Sequence, residues 1–107
     1  MELEERITII WQGQEVGILV NPMPDMWYLE GTLINNKSAA AAVFEALAKA
    51  LDINETFRDL SKGINIDLKY ESGPLNRGII LCLSAENILF LRRIIHTGVF
   101  DKVYRSN

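Results

Sequence analysis

Cysteine and histidine are almost missing from this chain: Cys82 and His96 each stand alone. A lone cysteine excludes an intramolecular disulfide, and Cys82 falls in the apolar run Ile79-Ile80-Leu81-Cys82-Leu83, the setting of a buried, inert thiol. With a single histidine there is no C-x-x-C or H-x-x-x-H spacing to hold a metal, and no visible nucleophile and base for covalent catalysis. No apolar stretch approaches the roughly eighteen residues that a membrane-spanning helix needs. The first ten residues, MELEERITII, carry three glutamates where a secretory signal carries positive charge. A cytoplasmic protein that does not enter membranes is therefore expected. A basic stripe with interleaved aromatics is also lacking, since Arg92 and Arg93 have few basic neighbours, so nucleic acid is not an expected partner. The glycines compose no phosphate loop: the run Ser72-Gly73-Pro74-Leu75-Asn76-Arg77-Gly78 lacks the G-K-[ST] ending. No motif implies a cofactor.

What remains is a chain of 107 residues with 49% hydrophobic content, read as a single domain over residues 1–107. Such a length buries roughly two thirds of the surface exposed when unfolded, enough for one core without staples. The formal charge of -3 is uneven: residues 1–60 hold ten acids and four bases, net -6, whereas residues 61–107 hold four acids and seven bases, net +3. Asymmetry of this kind can place opposite charges on two faces or pair chains head to tail.

Two periods organise the sequence. Residues 6–12 and 15–20 are rich in β-branched and aromatic side chains, and Gly13-Gln14 between them suits a type II′ hairpin, in which glycine takes the positive φ. A third run, Met26 to Ile34, has strand composition and is closed by Asn35-Asn36-Lys37, residues that tolerate left-handed turns. Ser38 then reads as an N-cap for a helix over Ala39 to Leu51, with Ala40, Val43, Phe44, Leu47, Ala50 and Leu51 at three- and four-residue spacing. Asn54 caps a shorter helical segment to Lys62 that turns Phe57 and Leu60 inward and stops at Gly63. Ile64 to Tyr70 alternates apolar and polar residues, and Ile79 to Leu83 reads as a strand buried on both sides. Ser84 caps a second long helix, with Ile88, Leu91, Ile94 and Ile95 on one face, His96 near its C-terminus favourable to the dipole, and Gly98 at its end. Val99 to Tyr104 form a last short strand or a docked tail. The expectation is α+β: a mainly antiparallel sheet of about five strands packed on one face by two main helices, in the order β-β-β-α-(α)-β-β-α.

The stretch NPMPDMWYLEG at residues 21–31 invites a functional reading. Its prolines cannot donate to a ladder and set the exit angle of the second strand. Strand alternation puts Trp27, Leu29, Gly31 and Leu33 on one side, with Trp27 a core anchor under the first helix, and Met26, Tyr28, Glu30, Thr32 and Ile34 on the other. Carried to the first two strands, the same alternation turns Ile10 and Leu19 outward. A sheet covered on one face only leaves Ile10, Leu19, Met26, Tyr28, Glu30 and Ile34 as an interface for a protein partner, most simply a two-fold homodimer. A different class of function would place a small-ligand or enzymatic pocket under the 21–26 loop, using Asp25, Glu30 and Arg77. Asp25 and Glu30 alone do not make the convergent set that an active site or a hard metal site needs, which favours a non-catalytic role.

The runs W-x-G-x-x-V-G at residues 11–17 and D-M-W-Y-L-E-G at 25–31, followed by an alanine-rich helix, resemble short uncharacterised bacterial α+β domains, some of them similar to immunity proteins of toxin systems. The likeness covers about the first half of the chain. It implies a stand-alone binding protein with a toxin as partner, and it carries over no functional residues.

Overall fold

The computed structural model describes residues 6–71, 73 and 75–94. The elements run β1 (Ile7–Trp11), β2 (Gln14–Asp25), β3 (Tyr28–Asn35), α1 (Ala39–Lys49), α2 (Ile53–Arg58), a 3-10 turn (Leu60–Lys62), β4 (Ile64–Tyr70), β5 (Leu75–Leu83) and β6 (Ile88–Ile94). All neighbouring strands are antiparallel, and the order β1-β2-β3-β6-β5-β4 closes because β1 also pairs with β4, Ile7 opposite Tyr70 and Ile9 opposite Leu68. The architecture is a closed six-stranded barrel, not an open sheet of five strands covered on one face by two helices.

The difference lies in one segment. Residues 88–94 form a strand rather than a helix, and this strand bridges β3 and β5 and so lets the sheet curl shut. Ser84 does accept backbone N–H groups, as a cap would, but those of Glu86 at 3.2 Å and Ile88 at 3.0 Å. Asn87 takes a positive φ of 68°, and the Ser84 N–H donates to the Ile88 carbonyl, so the same serine closes a hairpin. His96, Gly98, Ile95 and the expected tail over Val99 to Tyr104 lie outside the described residues.

The barrel seals its own interior. Ile7, Ile9, Val16, Leu19, Leu29, Leu33, Ile66, Leu68, Ile80, Leu89 and Leu91 are all buried and belong to one cluster. Leu19 therefore points inward, against the expectation that it faces outward with Ile10. The cause is a bulge: Ile9 pairs with Gly17 but Ile10 with Glu15, so Val16 is an extra residue and the side-chain parity of β2 flips beyond it. Gly17 is required at this point, because a Cβ there would lie 2.5 Å from the Ile34 carbonyl oxygen. The connection from β1 to β2 also differs from the expected Gly13-Gln14. Trp11 pairs with Gln14, which leaves Gln12 and Gly13 as the loop, both at positive φ (52° and 78°), as in a type I′ turn.

Helix α1 begins as expected: the Ser38 hydroxyl accepts from the Ala41 N–H at 3.0 Å. Its buried face is Ala41, Phe44 and Ala48, while Val43 and Leu47 remain exposed. The two alanines allow close approach, and Phe44 enters the core cluster beside Trp11, ring centroids 5.8 Å apart. Helix α1 thus caps the barrel mouth where β1, β3 and β5 end. Asn35 secures it, donating to the Ala41 carbonyl at 3.2 Å and to Glu45 Oε1 at 2.7 Å. Glu45 also meets Lys49 Nζ at 3.0 Å, and the hydrogen bonds from Lys49 and Asn35 hold its carboxyl below the usual carboxylate range. Trp11, not Trp27, is the tryptophan under this helix.

Strand β2 outruns β1. Among the described residues its pairing with β1 ends at Leu19, and Met23, Pro24 and Asp25 pair with Glu30, Leu29 and Tyr28 of β3. Pro22 and Pro24 fall in this overhang, beside an irregularity between Val20 and Met23.

Candidate functional site

The register across β2, β3, β6 and β5 defines the outward face near the β2–β3 hairpin. One row reads Asp25, Tyr28, Arg92 and Ile79, and the next reads Met23, Glu30, Phe90 and Cys82. Residues opposite one another in a ladder share a face, so these eight positions lie side by side on the outer wall. Leu29, Gly31, Leu89 and Leu91 supply the inward parity of the same strands and are buried.

Aromatic rings dominate the centre. Tyr28 stacks on Phe90 with centroids 5.5 Å apart and planes at 8°, and Phe57 stacks on Tyr28 at 5.5 Å and 22°. The Arg92 guanidinium carbon lies 6.0 Å from the centroid of the Trp27 ring and 5.8 Å from that of Tyr28, within range of attraction to a ring face. Arg92 Nε is shielded from water and donates no hydrogen bond among the described residues. Arg93 has the opposite parity; its guanidinium donates to the Met26 carbonyl and its N–H to the Trp27 carbonyl, which ties β6 to the hairpin loop.

Helix α2 delivers Phe57. Asp52, not Asn54, is its N-cap and accepts from the Asn54 N–H at 2.9 Å. The helix ends at Arg58, and Thr56 is the residue it buries. Thr56 Oγ1 donates to the Leu81 carbonyl at 2.8 Å. That bond turns Phe57 outward over the barrel wall rather than into the core. Around the stack, Trp27 is 47% exposed, Phe57 55%, Met23 67% and Met26 76%. The expectation that Trp27 is a core anchor fails because it sits in the two-residue hairpin loop, past the last inward position.

The candidate interface residues separate. Met26, Tyr28 and Glu30 belong to this surface, and Ile34 continues along β3 as an exposed side chain at its α1 end. Ile10 lies on another side of the barrel, in the row Ile10, Asp67, Arg77 and Ile94. Of the ligand set, Asp25 and Glu30 occupy neighbouring rows of the aromatic surface, both exposed. Arg77 is away from them, on the wall of an open cleft of about 560 Å³ with Asn65 and Asp67. The three do not converge. Among the described residues no three His, Cys, Asp or Glu side chains cluster closely enough to hold a metal ion, and no helix is long and apolar enough to cross a membrane.

Phe57, Phe90, Arg92 and Met23 were not legible as surface residues. Phe57 sits in a segment whose periodicity turns it inward, and Phe90 and Arg92 fall where helix and strand patterns overlap. Cys82 is half-buried beside Phe90, and burial, then the nearby Glu30 charge, pushes its thiol up. A thiol so placed holds less thiolate than a free one and is poorly nucleophilic.

No family model, curated protein or solved structure matches this chain.

Proposed function

We propose that this protein is a non-catalytic protein-interaction module that docks through the outward face of β3 and β6, most simply by self-association. The observation that carries this reading is the exposed apolar group of Trp27, Phe57, Met23 and Met26 surrounding the Tyr28–Phe90 stack and Arg92. Large aromatics, methionine and arginine are the residues enriched at interface centres. Contiguous apolar area of this kind tends to be covered by a partner. The barrel interior is filled by side chains, so binding falls to the outside.

Tyr28→Glu places a charge in the ring stack. Light scattering after size exclusion, at micromolar concentration, is expected to give a mass above the monomer for the wild type and a monomer for Tyr28→Glu. Identical monomer masses for both remove the self-associating reading. Trp27 supplies a second readout: in a Trp11→Phe background it is the sole tryptophan, and docking is expected to shift its emission to the blue as concentration rises. An emission maximum independent of concentration counts against burial of this face.

A further inference from the structure

We infer that the partner seated on this face is a second copy of the chain, turned about a two-fold axis along the Tyr28–Phe90 diagonal, so that Glu30 of each protomer meets Arg92 of the other. This inference rests on the reading that the outward face of β3 and β6 is the contact surface.

A two-fold interface must be its own complement. Four outward positions make a square: Tyr28 and Glu30 on β3, with Arg92 and Phe90 directly opposite them on β6. The aromatic residues occupy one diagonal and the opposite charges the other. Turning a copy over about the aromatic diagonal sets the Tyr28–Phe90 stack, with Phe57 on Tyr28, against its own copy, and exchanges the charged corners, giving two Glu30–Arg92 contacts. Turning it about the charged diagonal sets Glu30 on Glu30 and Arg92 on Arg92. Axes along or across the strands set each charge on a ring or each ring on a charge. Of the simple two-fold arrangements, the aromatic diagonal alone pairs rings with rings and acid with base.

Among the described residues, neither charge has an ionic partner. The ion pair among the described residues is Lys49–Glu45, and neither Glu30 nor Arg92 belongs to one. They stand on neighbouring strands yet do not pair with each other; Arg92 rests on the Trp27 and Tyr28 rings instead. Glu30 is exposed, free to meet a partner's guanidinium. Tests of the pairing follow from its symmetry, because reversing one corner leaves like charges facing at both contacts, and like charges juxtaposed across an interface are strongly disfavoured.

Glu30→Arg and Arg92→Glu are each expected to weaken self-association at least about tenfold. An equimolar mixture of the two is expected to recover the dimer mass by light scattering, since the introduced arginine then faces the introduced glutamate and the native residues face each other. Single variants that dimerise like the wild type, or a mixture that stays monomeric, overturn the inference. So does a wild type that is monomeric throughout the concentration range. The outcomes distinguish the two levels: if Tyr28→Glu abolishes the dimer and the charge reversals do not, the surface stands and the register falls; if the dimer survives Tyr28→Glu, the surface itself falls. Should circular dichroism show Arg92→Glu unfolded, Glu30→Gln and Arg92→Gln form a cycle in which the double variant is expected to lose no more affinity than either single. Additive losses then overturn the pairing.

Discussion

Gln12 is held at a φ of 52° by the hairpin it helps to close, a conformation in which a Cβ crowds the backbone. Type I′ turns favour Asn-Gly, because asparagine tolerates the left-handed region and glycine is indifferent to it. Gln12→Asn is therefore expected to stabilise the fold by roughly 0.5 kcal/mol, read as a rise in melting temperature; a fall would show that the glutamine side chain makes a contact worth more than the relief. The same residue explains why sequence pattern places the turn one position too late. Gly13 announces a turn, but the chain needs two residues at positive φ, and nothing in a glutamine marks it as one of them. Trp11, Gly13, Val16 and Gly17 each serve the fold locally, through a ring against Phe44, a turn, a bulge and a close approach to Ile34 respectively.

At the level of elements, the first helix was legible and the last strand was not. Ser38 with its alanine-rich run marks the helix, which starts at Ala39 as expected but ends at Lys49 rather than Leu51 and turns Ala41, Phe44 and Ala48 inward, not Val43 and Leu47. Ile88-Leu89-Phe90-Leu91-Arg92-Arg93-Ile94 satisfies two periods at once: Ile88, Leu91 and Ile94 repeat every three residues, while Leu89 and Leu91 alternate with Phe90 and Arg92. The choice is made by the strands β3 and β5, whose open sides need a partner, and no local pattern contains that information. Among the described residues, helix α2 is tied to the barrel by the buried Thr56–Leu81 bond and by Phe57 stacked on Tyr28. Thr56→Val keeps its shape but leaves the Leu81 carbonyl without its donor, at an expected cost of about 1–3 kcal/mol. If α2 is positioned by that bond, the variant should also loosen Phe57 from Tyr28, seen as faster amide exchange over Ile53–Arg58. Unchanged exchange there would mean that ring stacking alone holds the helix.

Across the whole molecule, closure distinguishes this barrel from the expected open sheet. In that sheet two strands would be edges, with amides open to water; here β1 is bonded on both sides, to β2 and to β4. The amides of Ile64–Tyr70 that face β1 are therefore expected to exchange as slowly as those between β5 and β6, through global unfolding alone. Rapid exchange restricted to the β1–β4 seam would show that the barrel opens there first. The count of greasy sides could be read from alternation along β1, β3 and β4, but their destination could not. A sheet with two apolar faces can be covered by helices, by a partner or by itself, and curling buries the inner face with no further element. On the outer wall an aromatic and apolar group gathers from β2, the β2–β3 loop, β3, α2 and β6, from positions as distant in sequence as Met23 and Arg92.

The overhang of β2 gives the NPMPD stretch a consequence of its own. Over Met23–Asp25 that strand pairs with β3 and, among the described residues, with no strand on its other side, and a margin of this kind is a template onto which a foreign segment can add and fibrils can grow. Pro22 and Pro24 strip amide donors from it, and a proline-bearing margin makes a poor template for strand addition. The two prolines thereby discourage neighbours from joining edge to edge along Met23–Asp25.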